Sequence, residues 1–176
     1  LHDYLAWYIQ VGRSAYEAMQ ARALKNSDLV VDGTPPPEQI AAADTYFASI
    51  GANVITGGNR ACYIPADDRI HVPHLSQFEQ PALYYSTTCH EHVHWTAHPS
   101  RLARDLTGRF GDDAYAVEEL IAELGAAFWC AQSAIAPATR HDHASYLAHW
   151  VRVLKEHPRV LLTVAARAQA ALDYLN

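Results

Sequence analysis

His90, Glu91 and His94, in the stretch Ser86–His98 (STTCHEHVHWTAH), are residues whose types and spacing fit one piece of chemistry. On an α-helix, positions four apart share a face with Cβ atoms about 6 Å apart, so two imidazoles there can reach a single zinc ion. Glu91 follows the first histidine. A carboxylate beside a metal-held water can take its proton and later hand it on, which is why the H-E-x-x-H spacing points to a zinc hydrolase. In a chain this rich in histidine the pattern arises by accident in roughly 3% of sequences of this length. A third ligand is therefore needed to carry the reading.

A catalytic zinc site takes three protein ligands and leaves the fourth position to water. His98 lies four residues beyond His94 but about 12 Å along the helix axis from His90, too far to share an ion with it. The metzincin arrangement asks for Gly and His where this chain has Ala97 and Ser100, which excludes that class. Three acids follow at Glu118, Glu119 and Glu123. Glu119 and Glu123 share a helix face, and an inward carboxylate is costly unless it meets a metal or a partner. Glu119 is the expected third ligand. Glu123, one turn deeper, is expected to accept the spare ring N–H of a ligating histidine; the alternative for it is a buried ion pair with Arg101 or Arg104. Glu118 is expected to be a solvated surface acid. Cys89 and His92 could close the site with a fourth ligand, but their positions point away from the His90/His94 face.

The elements that must position these groups come from composition and periodicity. With 176 residues, half of them apolar and 18% charged, the chain can bury one well-formed domain. A formal charge of −6 and the lack of a long Lys/Arg run argue against this chain gripping nucleic acid by itself. Cys62, Cys89 and Cys130, an odd set at wide spacing, suit free thiols in a cytoplasmic setting. No signal-peptide pattern opens the chain, and its longest uncharged stretch, Leu124–Thr139, is too short to span a bilayer. The absence of an initial Met suggests a processed chain or a piece of a longer protein.

An amphipathic helix is predicted over His2–Leu24, and the DGTPPP run (Asp32–Pro37) separates it from the rest of the chain. The expected organisation is an N-terminal helix and linker over residues 1–34 and one domain over residues 35–176. A helix over PEQIAAADTYFASI ends at Gly51. NVIT, ACYIP and RIHVP, separated by turn residues, read as a three-stranded antiparallel meander, with His71 and His74 as half-exposed polar residues at its end. Leu75–Glu79 forms a helical turn, and Pro81 opens a long helix over Ala82–His98, which places the motif mid-helix. Arg101–Asp113 is a loop. Three further helices are predicted over Ala114–Ile135, His141–His157 and Pro158–Leu175, the last with Val160, Leu161, Val164, Ala165, Ala168, Ala171 and Leu172 inward.

The stretch YYSTTCHEHVHWTAHPSRLARDLTGRFGDDAYAVEELIAELGAAFWCAQ, with GGNRACYIPADDRIHVP before it and HDHASYLAHWVRVLKEHPRVLLTVAARAQAALDYL after it, resembles the zincin-like metallopeptidase domain of ArdC-type antirestriction proteins. That domain is also found in TraC-type primases and phage polyvalent proteins. The resemblance implies an α+β zincin-like fold, a small antiparallel sheet on a mainly helical bundle that carries the motif helix. It also implies relatedness to ImmA/IrrE peptidases, zinc on His90, His94 and Glu119, and Glu91 as general base. His92 stands where an aliphatic residue is expected, and Ala97 where Gly is expected. Full family members carry a single-stranded-DNA-binding domain ahead of this one. DNA would be a partner only through that separate domain, and DNA protection is not carried over to this chain.

The expected mechanism is peptide hydrolysis by a zinc-activated water, with Glu91 moving the proton and Tyr146 or His143 donating to the oxyanion. A peptide or protein substrate could pair along an exposed strand, and no membrane partner is expected. The rival expectation is a non-proteolytic antirestriction module associated with single-stranded DNA, in which the zinc is structural or vestigial.

Overall fold

A computed structural model of the chain describes residues 37–106, 113–135 and 160–176. The helix expected within residues 1–34 and the one expected over His141–His157, with His143 and Tyr146, lie outside the described residues.

Helix α1 (Pro37–Ile50) opens on a proline, whose missing N–H costs nothing at a first helical position. Gly51 ends it at φ 76°, a left-handed conformation that glycine adopts without a Cβ clash. Phe47 on its inner face stacks 6.4 Å from Tyr85 and packs at a tilt 4.8 Å from Trp129, and Tyr85 Oη donates to Asp44 Oδ1 at 2.9 Å. The first helix is thereby fixed on the core by both apolar and polar contacts.

Three short strands follow: β1 (Asn53–Thr56), β2 (Cys62–Ile64) and β3 (Arg69–Val72). Their order is β1-β3-β2, with β1 parallel to β3 and β2 antiparallel to it. The sheet is therefore mixed, and the antiparallel meander expected from the sequence is corrected. The chain after β1 crosses to the far side before forming β2, then returns through the turn at Pro65–Asp68 to insert β3 between its neighbours. Gly57 N–H donates to Val72 O at 2.9 Å and extends the parallel pairing. The middle strand is the one that carries the core, with Ile70 and Val72 fully buried. The β2–β3 turn places Asp68 at φ 47° and is held by Tyr63 Oη (2.9 Å) and by the Arg101 guanidinium, which also lies 3.8 Å over the Trp95 ring.

After a 3₁₀ turn (Leu75–Gln77), α2 (Pro81–Thr96) runs through the interior, packed against α3 (Asp113–Gln132), α4 (Val160–Leu175) and the sheet. A helix buried on most sides must satisfy its polar groups locally. The Ser86, Thr88 and Thr96 hydroxyls do so by donating to the carbonyls of Leu83, Tyr84 and Val93 at 3.3, 2.8 and 2.6 Å. The last four carbonyls of α2, which no helical N–H can reach, are also taken up. Val93 O accepts from Arg104 (2.6 Å), His94 O from Ala97 N–H (2.9 Å), Trp95 O from Arg101 Nε (2.6 Å) and Thr96 O from Leu102 N–H (2.9 Å).

Helix α3 lies close against α2 at Gly125, where a Cβ would lie 2.6 Å from Val93 Cγ2. Helix α4 buries Val164, Ala168, Ala171, Leu172 and Leu175, at the three- and four-residue spacing that predicted it. Among the described residues no helix is long and apolar enough to cross a membrane. The fold is a mostly helical α+β arrangement, as expected, with the sheet at one side of the central helix.

Candidate metal centre

Helical spacing on α2 brings the His90 and His94 Nε2 atoms to 3.0 Å from each other. The crossing of α3 then sets Glu119 opposite both, its two oxygens 3.6 Å from His90 Nε2 and 3.4 Å from His94 Nε2. Four ligand atoms about 2.0–2.1 Å from a tetrahedral ion lie about 3.3–3.4 Å apart. The three side chains match that spacing, and they form a group that could hold a metal ion.

The outer nitrogens are oriented as well. His90 Nδ1 lies 3.0 Å from Glu123 Oε1, and His94 Nδ1 donates to Glu118 Oε1 at 3.2 Å. The Glu118 carboxylate holds the His94 Nδ1 proton, so that once the ring is neutral its Nε2 lone pair faces the centre, and Glu123 stands beside His90 Nδ1 on the corresponding side. Three electron-rich atoms facing one another call for positive charge between them, so the donor set fits a divalent ion. The protonation behaviour agrees. Burial alone would lower the histidine pKa values, but the Glu118 and Glu119 carboxylates outweigh it at His94, and Glu119 and Glu123 at His90, so both are raised. Glu119 is held below the usual carboxylate range by the two imidazoles, against the opposing effect of burial.

Glu118 corrects the sequence-based expectation. It is buried, 6% exposed, not a solvated surface acid. Arg104 bonds both of its oxygens, Nε to Oε2 at 3.0 Å and Nη2 to Oε1 at 2.9 Å. Burial raises its pKa, but the bonds from His94 and Arg104 pull it lower overall. The arginine considered for Glu123 thus serves Glu118, and Arg101 serves Asp68. A cue was present in the sequence. Two arginines just past a buried helix end are candidates for its orphan carbonyls, and the arginine donor left over then needs a carboxylate.

Glu91 is 5% exposed, and its carboxylate accepts no hydrogen bond from the described residues. It lies near enough to Cys62 of β2 to raise that thiol, after burial, and near enough to His94 to raise the imidazole. It is therefore within electrostatic reach of both the His/His/Glu group and the sheet. Cys89 and His92 are fully buried away from this group, His92 Nδ1 against Thr88 O at 2.7 Å, which leaves no fourth protein ligand from them. His98 is turned to Ser100 Oγ at 2.7 Å, while His71 is half-buried and His74 exposed.

Residues 41–167 match the family described as zincin-like metallopeptidase. The chain is 37% identical over 154 residues to an uncharacterized protein, y4eC, of Sinorhizobium fredii (strain NBRC 101917 / NGR234), covering 83% of this chain and 50% of that protein. It is 38% identical over 156 residues to DNA primase TraC of Escherichia coli, covering 82% of this chain and 14% of the primase. Among solved structures it is similar to the Mn(II)-bound antirestriction protein ArdC from plasmid R388, with a TM-score of 0.68 and 42% identity over 77% of this chain and 51% of that one. The metal-free ArdC structure gives a TM-score of 0.67 and 41% identity over 81% of this chain and 50% of that one. The chain thus spans at most about half the length of these relatives. A matched region that takes in the motif helix and all three glutamates of α3, on a fold shared with ArdC, shows that this chain belongs to the zincin-like metallopeptidase family.

Proposed function

We propose that this chain is the zinc-dependent metallopeptidase domain of an ArdC-like antirestriction protein, with His90, His94 and Glu119 as metal ligands and Glu91 as general base. The observation that carries the reading is the pairing of a three-ligand group with a buried carboxylate that has no hydrogen-bond donor of its own among the described residues. Such a carboxylate is costly to bury unless water or a substrate completes it. Two imidazoles and a carboxylate suit zinc, although the related ArdC structure carries Mn(II). A divalent ion held there supplies Lewis acidity, acidifying water and polarising a carbonyl.

Glu91 takes a proton from the water that attacks the peptide carbonyl carbon and returns it to the departing amine nitrogen as the C–N bond breaks. Glu118 and Glu123 hold the imidazole rings with their Nε2 lone pairs inward through the cycle. His143 or Tyr146 donates a hydrogen bond to the carbonyl oxygen. The substrate is a peptide or protein strand. The three free thiols suit a reducing cytoplasm.

The test is cleavage of an unfolded protein by zinc-loaded wild type and by Glu91→Gln. The variant should keep its zinc and lose about 10²–10⁴-fold in rate. Equal cleavage by both removes Glu91 from the mechanism.

A second reading, a DNA-associated module in which the ion is structural, is favoured by the names of the relatives, an antirestriction protein and a DNA primase. With a formal charge of −6, contact with single-stranded DNA would run through a separate N-terminal domain. Antirestriction that survives Glu91→Gln, with no proteolysis by wild type, would favour this second reading.

A further inference from the structure

We propose that Arg104 is a positioning residue of the metal centre, holding Glu118 as the acceptor that fixes the ring orientation of His94. The inference rests on the metal-site reading above and assigns a residue outside the ligand set. Arg104 is nearly buried, its side chain 7% exposed. It uses its donors on two elements at once. Nη2 caps Val93 O at 2.6 Å and Nη1 donates to Thr96 Oγ1 at 2.8 Å, both at the end of α2. Nε and Nη2 clasp the two oxygens of Glu118 on α3 at 3.0 and 2.9 Å.

Glu118 Oε1 is thereby left in line for one further donor, the His94 Nδ1–H at 3.2 Å. That bond places the His94 proton on Nδ1 and the lone pair on Nε2, facing His90 and Glu119. A lysine could supply the charge but not the planar fork that reaches both carboxylate oxygens while capping Val93. Without the guanidinium, Glu118 would be a buried carboxylate lacking its main partner. It would turn or draw in water, and His94 would lose the acceptor that orients it.

The experiment compares wild type with Arg104→Met and Arg104→Lys. Zinc affinity is measured by competition with a chromogenic chelator, and the imidazole Nδ1–H protons of the zinc-loaded proteins are observed by NMR. Arg104→Met should bind zinc about 10- to 100-fold more weakly. It should also lose or shift the His94 Nδ1–H signal while the His90 signal, facing Glu123, stays in place. Arg104→Lys should show the same selective change with a smaller affinity loss, and it serves alone if Arg104→Met does not fold. Unchanged affinity with an unchanged His94 signal overturns the assignment, as does equal loss of both histidine signals, which marks a merely structural role. Failure of wild type to bind zinc at all overturns the metal-site reading, and the Arg104 assignment with it.

Discussion

His92 lies between the two histidines of the centre yet faces the other way, and His92→Leu should leave metal binding intact while removing an acid-sensitive point from the core. Its ring is fully buried, 4.9 Å from the Phe47 ring centre, with Nδ1 on Thr88 O and, among the described residues, no partner for Nε2. Burial moves its pKa from 6.5 down to about 4, against a smaller opposing effect of the Thr88 bond. The folded value lies below the unfolded one, so the stability held by neutral His92 is fully present above the unfolded value of 6.5 and is lost as pH falls to about 4. At about 1.4 kcal/mol per unit the loss reaches about 3 kcal/mol. At neutral pH the leucine removes an unsatisfied nitrogen worth about 1–3 kcal/mol. It also gives up an aromatic contact worth about 0.5–1.5 kcal/mol. The variant should therefore equal wild type at neutral pH or exceed it by about 1 kcal/mol. The assay is urea unfolding of both metal-free proteins from neutral pH down to about pH 4, where the gap should widen by about 3 kcal/mol. A gap that does not change with pH would refute the burial of a neutral imidazole at His92. Loss of zinc affinity in the variant would refute its orientation.

Further outcomes concern the helix crossing, the thiols and the metal. Gly125→Ala should destabilise the fold: the helix-propensity gain of about 1 kcal/mol is outweighed by about 1–3 kcal/mol of overpacking against Val93. Zinc affinity should fall with it because α3 must shift on α2. Urea unfolding and zinc titration of Gly125→Ala with Val93→Ala should show partial recovery of both, whereas strict additivity would show that the two do not meet. Of the three thiols, only half-buried Cys62 should react readily with a thiol reagent in the folded protein, since Cys89 and Cys130 are buried and their pKa values raised, Cys130 to about 12. Two or more fast equivalents would contradict that packing. Zinc binding must displace protons that the carboxylates hold on His90 and His94, so affinity should rise with pH by about tenfold per unit for each proton released. Chelating the metal at a free concentration about 100 times its Kd should cost about 2.7 kcal/mol of stability by thermal unfolding.

The local features were legible in the sequence because they depend on neighbours along the chain. Four-residue spacing on a helix is enough to put His90 beside His94, prolines mark the starts of α1 and α2, and the apolar stripe of α4 faces inward as its period requires. The departure at His92 was legible too, though its fully buried place against Phe47 was not.

What only the tertiary structure decided were choices between local equivalents. Alternating residues say that a segment is a strand but not which strand it pairs with, so the insertion of β3 between β1 and β2, with one neighbour parallel, was invisible. Glu118, Glu119 and Glu123 are chemically the same, and successive positions on a helix differ by about 100° around its axis. Their destinations are set by how α3 crosses α2 at the Gly125–Val93 contact. That crossing puts Glu119 between the imidazoles, Glu123 behind His90, and Glu118 behind His94 within reach of Arg104.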